Sequence, residues 1–206
     1  VVDLGSENLA HDDPARDLYS DGDKRRMLAL ARETLELSTA TRQTPPIDLE
    51  TLPPALRRPA ACFVSLHRRI DGALRGCTGT LVARRPLAVE IVEITVQTAF
   101  NDPRFMPVRA AEVPDLRIEI SVLTPPEPLA FDTPDDLVAK LRPHIDGVTL
   151  RLDARRATFL PQVWDAYPDP VIFLGLLSEK MGFEPDAWRD PHLEVDTYQA
   201  IVVEEP

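Results

Sequence analysis

The sequence predicts an α+β fold: a largely antiparallel sheet with flanking helices. Three observations carry this. A tight hairpin signal, Asp71-Gly72, sits between two β-prone arms. The run Leu116–Thr124 alternates apolar and polar residues with period two. Segments of helical period are interspersed with such strands without regular βαβ spacing, which argues against a doubly wound sheet. The length, 206 residues, fits one domain or two small lobes and is enough to bury a core without staples.

Residues 1–19 are polar and acidic with no apolar period, and read as a flexible tail or the end of a linker, leaving 20–206 as the domain. From Ser20 the pattern changes. Ser20 is an N-cap residue, Asp21 and Asp23 suit the positive end of a helix dipole, and Met27, Leu28, Ala31 and Leu35 recur at helical spacing, which predicts a helix over 21–38. Five prolines in 41–59 make an extended connector whose Ile47, Leu49, Leu52 and Leu56 lie along the core.

The hairpin follows, over 61–81. A two-residue turn at Asp71-Gly72 pairs Ile70 with Ala73, places Cys77 opposite Leu66, and sets His67 on the other face from Cys77. In that register Cys62 and Cys77 lie too far apart for a disulfide. Pro86 then opens a helix with Leu87, Ile91, Ile94 and Thr98 on one face. In the strand from Leu116, the residues Leu116, Ile118, Ile120 and Val122 point one way and Arg117, Glu119 and Ser121 the other.

Thr133-Pro134 caps a short helix over 134–142, and Asp146-Gly147 opens a strand, VTLRLD. Val171–Met181 forms a helix with Phe173, Leu176, Leu177 and Lys180 on one face, and Gly182 ends it. One alternating strand, VDTYQAIVVEE, finishes the chain.

Composition narrows the functional classes. A net charge of −11, from 34 acidic against 23 basic side chains, repels phosphate backbones and moves nucleic acid to the bottom of the ranking. No run of 18 apolar residues predicts a membrane span. Two cysteines and the lack of a secretory signal point to a cytoplasmic protein. The four histidines lack metal-ligand spacing, and no metal site is expected.

Two clusters could carry chemistry. In Leu74-Arg75-Gly76-Cys77-Thr78-Gly79, two glycines flank a cysteine in a strand, a pattern that marks close approach of a ligand or of another backbone. Arg75 would favour the thiolate of Cys77, the nucleophilic form. The alternative is a cysteine acting as a small apolar residue with glycines that serve packing. The second cluster, Asn101-Asp102-Pro103-Arg104-Phe105, lies on a connector, where an Asp102–Arg104 pair could form a polar wall beside the hairpin or simply end a helix.

GALRGCTGTL, AFNDPRFMPV, LRIEISVLTPPEP and the later DGVTLRLDARRATFLPQVWD and WRDPHLEVDTYQA together resemble the AMMECR domain family. The likeness runs from about Ser20 to Glu205, with Thr78 where that family more usually has isoleucine. It implies two unequal lobes with antiparallel sheet. It also implies a setting beside a Memo-like protein related to extradiol dioxygenases and a radical SAM protein, the AmmeMemoRadiSam system, and no defined cofactor. Arg75, Gly76, Cys77 and Gly79 match the family's signature, and Asp102, Arg104 and Phe105 its second segment.

The reading that follows is a small-molecule-binding protein or enzyme with a pocket between the hairpin and the Asn101–Phe105 connector. Cys77 is the candidate nucleophile, Arg75 and Arg104 hold an anion beside Gly76 and Gly79, and Asp102 orients an arginine or moves a proton. The alternative is a non-catalytic module that docks the two partner proteins, ahead of nucleic-acid-linked regulation.

Overall fold

The structure is a computed structural model, and it describes residues 18–206. The tail expected over 1–19 falls almost entirely outside the described residues. In chain order the elements are α1 (Asp21–Thr41), α2 (Pro54–Arg57), β1 (Ala61–Arg68), β2 (Leu74–Gly79), α3 (Leu87–Phe100), β3 (Leu116–Leu123), β4 (Glu127–Pro128), α4 (Pro134–Lys140), β5 (Gly147–Leu152), β6 (Arg155–Phe159), α5 (Pro170–Met181), β7 (Glu194–Tyr198) and β8 (Ala200–Glu204). They form two four-stranded sheets, β2-β1-β3-β8 and β4-β7-β5-β6, with every pairing antiparallel. The fold is mixed α+β with helices against both sheets, as the sequence predicts.

Each sheet has its own core. Cys62, Val64 and Leu66 of β1 and Ile118, Ile120 and Val122 of β3 face Met27, Ala31 and Leu35 of α1 and Leu87, Ile91 and Ile94 of α3. In the second lobe Val148 and Leu150 of β5 pack on Phe173, Leu174 and Leu177 of α5, and the Trp164 ring stacks on Phe173 at 3.6 Å. Of the expected face of α5, Phe173 and Leu177 are buried, whereas Leu176 is half-buried and Lys180 exposed; Leu174, Gly175, Ser178 and Met181 complete the buried side.

The smaller lobe is an insertion between β3 and β8. The run read as one closing strand divides at Gln199, with β7 in one sheet and β8 in the other. Both crossings lie side by side: the Thr124 N–H donates to the Gln199 carbonyl at 2.9 Å, and the Gln199 N–H donates to Thr124 Oγ1 at 2.8 Å. A third apolar cluster, Ala61, Leu123 and Tyr198 with Phe63, Leu160 and Ala200, fills the junction between lobes.

The helix caps are built from neighbouring residues. Ser20 Oγ accepts from the Asp23 N–H, whose carboxylate in turn accepts from the Ser20 N–H, and α1 runs three residues beyond the expected end. Thr133 caps α4, which stops at Lys140. Pro86 is the N-cap of α3 rather than its first residue. The connector before β1 is not wholly extended, since α2 and a 3-10 turn at Leu49–Thr51 interrupt it. A strand went unpredicted at Arg155–Phe159.

The hairpin register differs from the expected one, and the difference decides which face carries Cys77. The loop holds four residues, not two: Arg68 and Ala73 close it, with the Arg68 N–H donating to the Ala73 carbonyl at 2.9 Å. Gly72 takes a φ of +70°, and Asp71 Oδ1 accepts from the Ala73 N–H. Arg75 is then an extra residue in β2, a bulge between the pairs His67–Leu74 and Leu66–Gly76. The longer loop moves the pairing by two and the bulge returns one. The net shift of one residue puts Cys77 opposite Ser65, away from the helices, while Cys62 stays in the core.

Candidate functional site

The residues around Cys77 explain themselves from the strand upward. β2 is an edge strand, so the N–H and C=O it turns outward need partners. At Cys77 the Asn101–Phe105 connector supplies both. The Cys77 N–H donates to Asp102 Oδ2 at 2.9 Å, and the Cys77 carbonyl accepts from Arg104 Nη2 at 2.8 Å. Asp102 also takes hydrogen bonds from Arg104 Nε, Arg104 Nη2 and the Arg104 N–H. The Arg104 side chain, then the Cys77 N–H, hold the Asp102 carboxyl well below the usual carboxylate range despite its burial. The pair therefore acts as a substitute strand, clipped to the sheet edge.

The two glycines are occupied by protein. A Cβ on Gly76 would stand 3.0 Å from the Thr98 carbonyl oxygen of α3, and one on Gly79 would collide with the Phe63 ring and stand 2.6 Å from the Cys62 oxygen. Gly79 faces Phe63 across the strands, so the ring covers the glycine and reaches the junction cluster. Arg75 is drawn off to Glu112, Nε to Oε2 at 3.0 Å. Burial pushes the Glu112 carboxyl up, and hydrogen bonds from Arg75 and Arg109 outweigh it, leaving it lowered. The structure thus joins Cys77, Asp102 and Arg104, and sends Arg75 elsewhere.

The thiol itself lies half-buried on the sheet face turned from the helices. Ser65 Oγ donates to Cys77 Sγ at 3.2 Å. The bulge brings His67 onto this same face of β1, where the two-residue turn had excluded it. His67 Nδ1 lies 3.2 Å from the Gly72 carbonyl, and Nε2 is buried without a hydrogen-bond partner among the described residues. Across the sheet the row continues from Cys77 through Ser65 to Glu119 and Glu204. Cys62, by contrast, is sealed in the core, where burial and then Glu90 push its thiol up to about 12.

The chain leaving Gly79 forms one wall of a cavity of about 380 Å³ between the lobes. Leu81, Val82 and Ala83 stand on one side; the open face of the smaller sheet supplies Thr149, Arg151, Arg156, Thr158 and Asp196, with Lys180 at the end of α5. Cys77 does not line it. Thr158 Oγ1 links Val148, Thr149 and Tyr198 in one network, and burial pushes the Tyr198 phenol up to about 12. Sequence reasoning passed over these residues. Arg155-Arg156 read as scattered surface charge, although the alternation in VTLRLD already set Thr149 and Arg151 on a shared polar face.

The arrangement of lobes and motifs has a known counterpart. The AMMECR1 family profile matches residues 28–203. The chain belongs to the AMMECR1 family. A family protein of Methanothermobacter thermautotrophicus is 37% identical over 161 residues, covering 76% of this chain and 81% of that one. One from Methanopyrus kandleri is 37% identical over 165 residues, covering 76% and 78%. The crystal structure of an uncharacterised protein from Pyrococcus horikoshii superposes with a TM-score of 0.80 at 31% identity, covering 91% of this chain and 94% of that one. No group of acidic, histidine or cysteine side chains suited to a metal occurs among the described residues of this AMMECR1 protein. No helix among them is long and apolar enough to cross a membrane.

Proposed function

We propose that this AMMECR1-family chain is a small-molecule-binding protein whose ligand occupies the cleft between the lobes. One observation carries the reading: the segment leaving the LRGCTG strand walls a 380 Å³ cavity floored by the polar face of the second sheet. Ligand sites are concave and of this size, and favour the junctions between structural units. The signature then serves the site by fixing its wall. Asp102 and Arg104 hold the strand edge, and Gly79 seats Phe63 at the lobe junction.

Cys77 keeps its candidacy as a nucleophile in this reading, supported by the Ser65 hydroxyl on its sulfur and by the unspent His67 nitrogen on the same face. The chain works in the cytoplasm beside Memo-like and radical SAM proteins, a setting supported by the family membership and by two free thiols. Saturation-transfer NMR with a mixed set of small metabolites tests the cleft. Binders whose signal disappears in Val82→Trp are expected; a set of binders indifferent to that change removes the reading. Co-purification of the two partner types tests the setting.

A second reading, a docking module, is favoured by the hairpin tip. Ile70 is 90% exposed there, beside a groove of about 540 Å³ that includes Arg68, Arg109 and Glu112. Loss of co-purification in Ile70→Asp, with ligand binding intact, would distinguish it.

A further inference from the structure

Within the cleft, charge is distributed against the trend of the whole chain. The protein carries −11, yet three cations, Arg151, Arg156 and Lys180, line this cavity beside a single carboxylate, Asp196. Arg151 is spent: it pairs with Asp196 and with Glu194 at 3.1 Å. The other two have no carboxylate. The Arg156 side chain has no ion-pair or hydrogen-bond partner among the described residues, and it stands across the β5–β6 ladder from Arg151, where like charges repel. Lys180 donates to the Thr158 carbonyl at 2.9 Å and lies over the Phe159 ring, and partial desolvation lowers its pKa. Opposite them Leu81 and Val82 stay 45% and 40% exposed, with Ala83 and Pro126 alongside.

We propose that the cleft takes a small organic anion with an apolar body, its carboxylate or phosphate headgroup held by Arg156 and Lys180 and its body laid on Leu81 and Val82. This deepens the small-molecule reading above and rests on it. Two cations that line one cavity without counterions raise one another's energy, and an anionic headgroup relieves both at once. Arg156 and Lys180 are exposed, so an anion can reach both, and the walls of the cleft focus their field. The apolar wall explains two exposed aliphatic side chains in a loop that would otherwise be polar.

Two fluorescent probes separate the parts of this proposal. 1-Anilinonaphthalene-8-sulfonate carries the anion, and N-phenyl-1-naphthylamine is the same body without it. Arg156→Ala should weaken the sulfonate probe about tenfold, a loss of about 1.4 kcal/mol, and leave the neutral probe unchanged. Arg156 has no partner to lose and faces Arg151, so the melting temperature should not fall. Val82→Trp should abolish both probes. Octanoate or hexyl phosphate should displace the sulfonate probe, and whichever competes better identifies the headgroup. If Val82→Trp blocks both probes while Arg156→Ala affects neither, or neither anion competes, the cleft stands and anion recognition falls. If both probes ignore Val82→Trp, the cleft reading itself falls.

Discussion

The carboxylate of Asp102 accepts the backbone N–H of Cys77 at 2.9 Å, so the second family motif holds the first through its main chain. Asp102 is buried and shares Arg104 with the Cys77 carbonyl. Removing the Asp102 carboxylate leaves the Cys77 N–H without its partner, while the half-exposed Arg104 returns to water. Asp102→Ala should therefore cost about 1–2 kcal/mol in urea unfolding. A cost near zero would mean that the clip does not hold the edge.

The same carboxylate sets an acid limit. Its folded pKa is lowered by Arg104 and the Cys77 N–H, so its contribution to stability is complete above the unfolded value of about 4 and is lost as the pH falls from there toward the folded value. Stability of the native chain relative to Asp102→Asn should thus shrink progressively below about pH 4. A difference constant from pH 7 to pH 3 would refute the assignment.

Gly79 and Gly72 should respond differently to alanine. At Gly79 the new methyl meets the Phe63 ring and the Cys62 oxygen, which overpacks the hairpin at a cost of about 2 kcal/mol. At Gly72 nothing lies within 4 Å, and only the positive φ opposes the change, at about 1 kcal/mol. Thermal melts of the two variants would rank them; the reverse order would contradict the close seat of Phe63.

Thiol labelling should be selective. Cys77 is half-buried on an open sheet face, whereas Cys62 is sealed in the core with its thiol pushed up to about 12. Native protein should consume a single equivalent of a disulfide reagent at Cys77, and a second only on unfolding. Prompt labelling of Cys62 would overturn its placement. A Cys77 that reacts no faster than Cys62 would end its candidacy as a nucleophile.

Arg32 ties α1 to the chain's end, through bonds to Glu205 and to the carbonyls of Val113 and Leu116 at 3.0 and 2.8 Å. Arg32→Ala should cost roughly 2 kcal/mol and expose the last strand to hydrogen exchange. Unchanged protection of Val203 would show the tie to be idle.

How much of this was legible follows from the range of each signal. α1 could be read because its cap and its apolar stripe are both local, from Ser20 to Leu35. β3 could be read because apolar and polar residues alternate from Leu116 to Val122, although Ser121 and Leu123 on its second face are buried as well. The hairpin could be found but not registered: a four-residue loop and the bulge at Arg75 leave no mark in residue types, yet together they flip Cys77 to the other face. Pairing Asp102 with Arg104 was foreseeable from spacing. Their shared target, the backbone of Cys77, was not, because an edge strand is defined by what fails to pair with it. Glu112 as the partner of Arg75 depends on a 3-10 turn 37 residues away in sequence. The change of sheet at Gln199 was invisible because both halves alternate in phase.

The side-by-side crossings at Thr124 and Gln199 bear on how the chain matures as it is made. A ribosome delivers all of the inserted lobe before β8, the strand that brings Ile201 and Val203 to the first core. The middle of the chain can finish while its outer part waits for β8. A stalled or truncated product would thus hold a completed inner lobe on an unfinished outer one, and assembly proceeds from the inside outward.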